Sequence, residues 1–364
     1  MALKVGIIGL TNSGKTTIFN CISDAKAEVS NFAFSTTKSN LGTAEVADPR
    51  LYELDKLIKA EVVIPATIEL VDIPGLAKGA GQGEGIGNTF LNDVRNVDAL
   101  VHVVRCFDDP QLPHMDGKVD PVRDKENIDF ELQVKDLEQI ERKLQKVEKA
   151  FKTGDKSQKT AFDTLVKFKE HLENLGNIRT LELTEDDNKI IRELYLLTAK
   201  PVLYVCNVDD SSAASGNAYS NNFAEAVKSE NTEVIVVAGK AEADIAELEE
   251  NDRNDFLSDL GLTEPGVQRI TRAAYSLLNL ISFFTVGGKE NRAWSIPRGV
   301  AAPVAAGTIH SDLERGFIRA EVIAYADMIQ FKSEAACKEA GKMRVEGKTY
   351  IVQDGDILHV RFNV

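Results

Sequence analysis

The 364-residue chain is 43% apolar and 27% charged, which supplies more than one packed core and excludes a wholly disordered protein. Its net charge of −14 argues against broad nucleic-acid binding and gives no footing for sequence-specific DNA recognition. Four scattered cysteines without Cys-x-x-Cys spacing, no apolar run near the roughly 20 residues of a membrane span, and no leader pattern after Met1 lead us to expect a cytoplasmic protein with no membrane partner.

In chain order, Leu3 to Ile8 reads as a strand and Thr17 to Ile22 as a helix, with Gly-Leu-Thr-Asn-Ser-Gly-Lys-Thr between them at Gly9 to Thr16. Strand, glycine-rich loop and helix together make a phosphate cradle. Gly9 and Gly14 let the backbone curl so that successive N–H groups point at the phosphates, and the helix brings its positive end to the same place. Lys15 is expected to neutralise the β- and γ-oxygens, and Thr16 to give its hydroxyl to Mg²⁺. Thr67 to Asp72 is a second strand, ending in an acid and followed by Ile73-Pro74-Gly75. An Asp at that edge of an open α/β sheet can hold Mg²⁺ through water, while the Gly75 N–H meets the γ-phosphate. The six glycines between Gly75 and Gly87 suit a segment that orders or melts with the nucleotide.

Ala99 to Cys106, Pro201 to Cys206 and Glu233 to Ala238 read as further strands, the middle one running into Asn207-Val208-Asp209-Asp210, where such domains read the base. Between the first two lie two apolar stripes at helical spacing. One is Leu137, Ile140, Leu144, Val147 and Phe151; the other is Ala161, Leu165, Phe168, Leu172 and Leu175. The break at Thr153 to Ser157 predicts an antiparallel helical hairpin. After Leu280 the pattern turns to strands, with a hairpin at Ile281 to Val286 and Arg292 to Ile296, and a short helix at Ser311 to Glu314. A strand at Phe317 to Ile323 and a second hairpin, Tyr350 to Val352 with Ile357 to Phe362, complete a small α+β grasp-like domain. Residues 281–364 carry 11 Lys/Arg and 10 Asp/Glu, so the acidic excess belongs to the first 280 residues.

The chain resembles the YchF proteins, or Obg-like ATPases, of the translation-factor-related P-loop GTPase class. The resemblance runs through Asn31-Phe32-Ala33-Phe34-Ser35-Thr36, Asp72 to Asn88, His102-Val103-Val104-Arg105-Cys106-Phe107 and Glu242 to Leu248. It continues through Gly316 to Glu321, Glu339 to Arg344 and the ending Arg361-Phe362-Asn363-Val364. It implies an α/β Obg-type nucleotide domain (1–124 and 199–280), an inserted antiparallel coiled coil (125–198) and a C-terminal TGS domain of β-grasp type (281–364). It also implies Mg²⁺-dependent hydrolysis of ATP in preference to GTP, and association with ribosomes, the large subunit being the expected contact. By position, Asn12, Ser13, Gly14, Lys15, Thr16 and Thr17 would hold the phosphates, Thr16 and Thr36 with Asp72 the Mg²⁺, and Asn207 and Val208 the base.

The chain departs from its relatives at informative places. Val208 stands where guanine-specific relatives have Lys, and Asp210 is the guanine-type acid where the family has Glu, so both ATP and GTP stay open. Thr11 and Ser13 stand where the family often has Pro and Val. Leu76 occupies the position of the water-orienting Gln in many GTPases and has no hydrogen-bonding group. By resemblance His114 is the candidate to replace it, since an imidazole can orient water or take its proton; the competing reading is a solvated loop side chain. Lys15 and His114 are thus the catalytic candidates. Asn12 is the position that helps bind K⁺ in some relatives. A guanine-specific ribosome-associated switch and a nucleotide-gated scaffold with incidental turnover are the alternative functions.

Overall fold

The computed structural model describes residues 3–23, 39–75 and 86–363. The chain divides into two compact units, one of Leu3–Gly42 and Leu70–Ile270, the other of Thr43–Glu69 and Thr271–Val364. Among the described residues the strands are β1 (Lys4–Ile8), β2 (Asn40–Val46), β3 (Val62–Ile64), β4 (Ala66–Asp72), β5 (Ala99–Arg105) and β6 (Val202–Asn207). They continue with β7 (Val234–Val237), β8 (Leu280–Thr285), β9 (Glu290–Pro297), β10 (Phe317–Ala324), β11 (Arg344–Glu346) and β12 (Asp356–Phe362). No described helix is long and apolar enough to cross a membrane.

A six-stranded sheet in the order β2-β4-β1-β5-β6-β7 organises the first unit. β1 pairs parallel with β5, β5 with β6, and β6 with β7. Every residue of β5 and β6 is buried, as a parallel strand covered on both faces requires, which is why both are mostly apolar, with His102 and Arg105 in β5 and Asn207 closing β6 as the exceptions. The register sets Arg105 beside Asn207 and Asn207 beside Val237, so the C-terminal ends of three strands share one edge with the loop that follows β1. That edge is where open α/β sheets bind ligands.

The predicted hairpin is formed by the 32-residue helix Pro121–Lys152 and the helix Lys159–Glu173. Lys169 pairs with Glu141, and Phe162 stacks on Phe151, so the two helices run antiparallel. Ile140, Val147, Leu165, Phe168 and Leu172 are buried together as the stripes predict. The same cluster takes in Ile178, Ile190 and Leu196, so a third helix, Glu185–Leu194, closes what two seams alone would leave open. Leu175 is a correction: it follows the helix end with a left-handed backbone (φ 60°) and is 67% exposed. Helical spacing extrapolated one step past the helix's end.

In the second unit the sheet order is β11-β10-β12-β8-β9-β3. β8 and β9 form the expected hairpin, and the helix Ala302–Ile309 contributes Ala302, Ala305 and Ala306 to a core with Phe283, Ile296, Phe317 and Leu358. This is the mixed sheet with helices that a β-grasp domain requires. The second predicted hairpin does not form. Ile357 to Phe362 lies in β12, which pairs antiparallel with β10 and parallel with β8, whereas Ile351 makes only an isolated bridge to Ala301. Asp354 leaves the segment, accepting from Ser282 N and Arg50, whereas Asp356 accepts from Gln353 N and Tyr350 within it, so the residues make a local turn and β12 runs on to pair with β10 and β8. This unit also takes in Thr43–Glu69, placed with the nucleotide domain in the sequence division: β3 pairs with β9, and Asn291 donates to Asp55 and to the Ile58 carbonyl.

Candidate functional site

The loop after β1 bends through two left-handed residues, Asn12 (φ 63°) and Gly14 (φ 89°), before Lys15 opens the helix Lys15–Ile22. Gly14 caps this helix without a side-chain acceptor, so its first-turn N–H groups are directed at whatever anion lies before them. A Cβ at Gly9 would stand 2.5 Å from the Val103 carbonyl, and one at Gly14 only 2.1 Å from Asn207 Nδ2. These glycines are needed for close approach as much as for torsion. Gly75 lies against the same loop, since a Cβ there would meet Lys15 Nζ at 2.8 Å and Thr11 N at 3.1 Å. Burial lowers the Lys15 pKa, and the Asp72 charge opposes that shift.

Asp72, at the end of β4, is 1% exposed. Its Oδ2 accepts from Thr16 Oγ1 at 2.9 Å, and its Oδ1 is buried with no hydrogen-bond partner among the described residues. Burial pushes this carboxyl up, while Lys15, Thr16 and the Asn40 side chain pull it down. A hydroxyl and a carboxylate with one unused oxygen form the hard-oxygen donor set that suits Mg²⁺. Thr17 follows, half-buried. Thr36, Leu76 and most of the glycine-rich run lie outside the described residues.

Asn207 Nδ2 donates to the Ser13 carbonyl at 2.9 Å and Oδ1 accepts from Gly239 N at 2.9 Å, so both ends of the amide tie the phosphate loop to the strand edge. Val208 is buried. Asp210 carries a buried Oδ1 with no hydrogen-bond partner among the described residues.

His114 is not a solvated loop side chain. Its side chain is 5% exposed, its Nε2 lies 2.8 Å from Asp124 Oδ2, and the Asp116 N–H donates to its Nδ1 at 3.1 Å. His114 and Asp124 line one recess with Leu10, Thr11 and Ser13 of the phosphate loop and with His102 and Arg105 of β5. Ser13 Oγ and Arg105 Nη1 are buried there without partners among the described residues, which suits occupation by water. His114, Asp116 and Asp124 bring three ligand-type atoms within 4.8 Å, but Arg123 already faces both carboxylates at 3.5 and 3.2 Å. The cluster is ion-paired, and we assign it no metal.

Three contributors escaped the sequence reading: Asn40 beside Asp72, Gly239 beneath Asn207, and Asp124 behind His114. Each lies far from its motif or is an unmarked residue type within a helix or turn. The His102 to Phe107 run pointed at β5, though not at what Arg105 faces.

A phosphate loop after the first strand of a parallel sheet, with Thr16 hydrogen-bonded to an acid at a neighbouring strand end, defines a P-loop nucleoside-triphosphate-binding protein of the GTPase class. A family model described as "50S ribosome-binding GTPase" matches residues 4–208, and the YchF-GTPase C-terminal model, described as "Protein of unknown function (DUF933)", matches residues 280–363. "Ribosome-binding ATPase YchF" of Bacillus subtilis (strain 168) is 48% identical over 366 residues, and that of Escherichia coli O157:H7 47% identical over 364, each alignment covering 100% of both chains. The solved structure of the Schizosaccharomyces pombe YchF GTPase superposes with a TM-score of 0.87 at 35% identity, covering 99% of this chain and 97% of that one. The chain belongs to the YchF family.

Proposed function

We propose that this protein is a Mg²⁺-dependent ATPase that binds ribosomes and uses its nucleotide state as a switch. The Thr16–Asp72 pair, with its unused Asp72 oxygen beneath the phosphate loop, carries the reading, because a cradle without a cation site would bind phosphate and not hydrolyse it. Relatives named as ribosome-binding ATPases, aligned end to end, support the substrate and the partner. In this reading Asn12 to Thr17 and Gly75 hold the phosphates, and Thr16, Thr36 and Asp72 serve the Mg²⁺. When bound there, Mg²⁺ would supply charge neutralisation at the transferring phosphate. Lys15 adds the second positive charge, and His114 orients water in place of Leu76. K⁺ beside Asn12, the large ribosomal subunit as the contact, and a cytoplasmic location complete it. We divide the chain, as in the sequence reading, into a nucleotide domain, a helical insertion from 125 to 198 and a TGS domain from 281.

GTP remains a second substrate on one observation. Asp210 is a carboxylate whose two oxygens match the two adjacent N–H donors of guanine better than the single exocyclic amine of adenine, and its Oδ1 has no hydrogen-bond partner among the described residues. Calorimetry with ATP, GTP and their non-hydrolysable analogues, with and without Mg²⁺ and ribosomes, separates the readings. Lys15→Ala is expected to abolish triphosphate binding or turnover with the fold intact; undiminished turnover by the pure variant overturns the enzyme reading.

A further inference from the structure

We infer that Asp124 is a positioning residue for His114: its carboxylate holds the imidazole as the Nε2–H tautomer and so makes Nδ1 the atom that meets water. The inference rests on the reading of His114 as the water-orienting group. The proton assignment follows from the two contacts on the ring. A backbone N–H can donate to Nδ1 only if that nitrogen carries its lone pair, so the Asp116 N–H at 3.1 Å places the ring proton on Nε2. Asp124 Oδ2, 2.8 Å away, accepts it.

The two contacts differ in strength and in support. The bond to Asp124 is short and charge-assisted, and its acceptor lies in the first turn of the helix Pro121–Lys152, started by Asp120 as cap and by Pro121. Arg123 Nη2, at 3.2 Å from Asp124 Oδ1, fixes the other carboxylate oxygen. The Asp116 bond is longer, neutral and made by a loop residue. When one contact gives way to water, the neutral one yields and the Asp124 bond remains. Nδ1 is then free to accept a hydrogen bond from water while the ring stays aligned. The shared recess with Leu10, Thr11 and Ser13 puts the imidazole beside the phosphate loop. An acid that orients a histidine through the far nitrogen is a recurrent device, and replacing it by an amide favours the wrong tautomer.

The test uses the full chain. Long-range ¹H–¹⁵N spectra are expected to show His114 as Nε2–H in the unaltered protein and in Asp124→Glu, and shifted toward Nδ1–H in Asp124→Asn. Steady-state kinetics are expected to show a kcat for Asp124→Asn some 10–100-fold lower with KM for ATP little changed, substantial recovery in Asp124→Glu, and a His114→Ala/Asp124→Asn double variant no slower than His114→Ala. An Nδ1–H tautomer in the unaltered protein overturns the inference, even where Asp124→Asn cannot be obtained folded. So does a kcat unchanged or raised by Asp124→Asn while His114→Ala is slow. A His114→Ala protein with full kcat overturns instead the reading of His114 on which the inference rests, whatever the tautomer.

Discussion

Asn207 shows how one amide can join the phosphate loop to the strand edge. Its Nδ2 secures the Ser13 carbonyl, its Oδ1 secures Gly239, and the left-handed Gly14 packs against it with no room for a Cβ. Asn207→Asp keeps the size, removes the donor to Ser13 and sets a carboxylate behind the phosphate loop. ATP and GTP affinities are therefore expected to fall together, by at least tenfold, since the buried Ser13 carbonyl loses its partner and the phosphates meet a like charge. Val208→Lys makes the contrasting case. It adds a guanine-type stem and no loop contact, so the ATP/GTP affinity ratio is expected to move toward GTP. Calorimetry on nucleotide-free protein reads both variants; a ratio that moves in Asn207→Asp, or stays put in Val208→Lys, reverses these assignments. The motif Asn207 to Asp210 was legible because strand ends collect chemistry. What Asn207 does was not, because Ser13 and Gly239 are distant in sequence and meet it only through sheet register.

Among the elements, the helical insertion was the easiest to read, since an apolar stripe at 3,4 spacing suits an amphipathic helix and fits neither a strand nor a loop. The third helix was harder to see: it opens on three consecutive acids, Glu185, Asp186 and Asp187, and brings only Ile190, Ile191 and Leu194 after them. One of those acids is structural. Asp187 completes a capping box with Thr184, accepts from Thr164 Oγ1 at 3.0 Å and pairs with Lys167 at 2.6 Å. Burial works against its charge, but these partners together hold its carboxyl down at about 2, below the ordinary 3.8. A depressed folded-state pKa means stability that is present above pH 3.8 and lost as pH falls toward 2. The expected loss is roughly 2 kcal/mol, borne by the insertion. Following the Phe151–Phe162 region by hydrogen exchange between pH 5 and pH 2 is expected to show protection falling in that window. Asp187→Asn is expected to start lower and to lack this step. A step of equal size in the variant assigns the acid sensitivity to another carboxylate.

At the scale of the whole molecule, the C-terminal family model begins at residue 280, and the compact unit that holds those residues also takes in Thr43–Glu69. Local patterns could not show this, because the contributing segment, Thr43–Glu69, precedes its partners by more than two hundred residues. Its attachments are specific. β3 forms the edge strand beside β9, Arg50 pairs with Asp354 at 3.0 Å, and the buried Asn291 donates to Asp55 and to the Ile58 carbonyl. A chain ending at residue 280 would keep β3 without its neighbour, leave Arg50 only its Asp48 partner, and expose Asp55 and the Ile58 carbonyl to water. An unpaired strand of three residues has little stability of its own. The shortened chain is therefore expected to unfold at a lower temperature than the full protein, with early proteolytic cleavage between residues 43 and 69, while ATP binding at the phosphate loop weakens far less than the melting temperature falls. Limited proteolysis with mass mapping checks the location, and calorimetric melting with and without ATP checks the separation. Cleavage starting elsewhere, with residues 43–69 protected, would mean that this segment stands without the C-terminal strands.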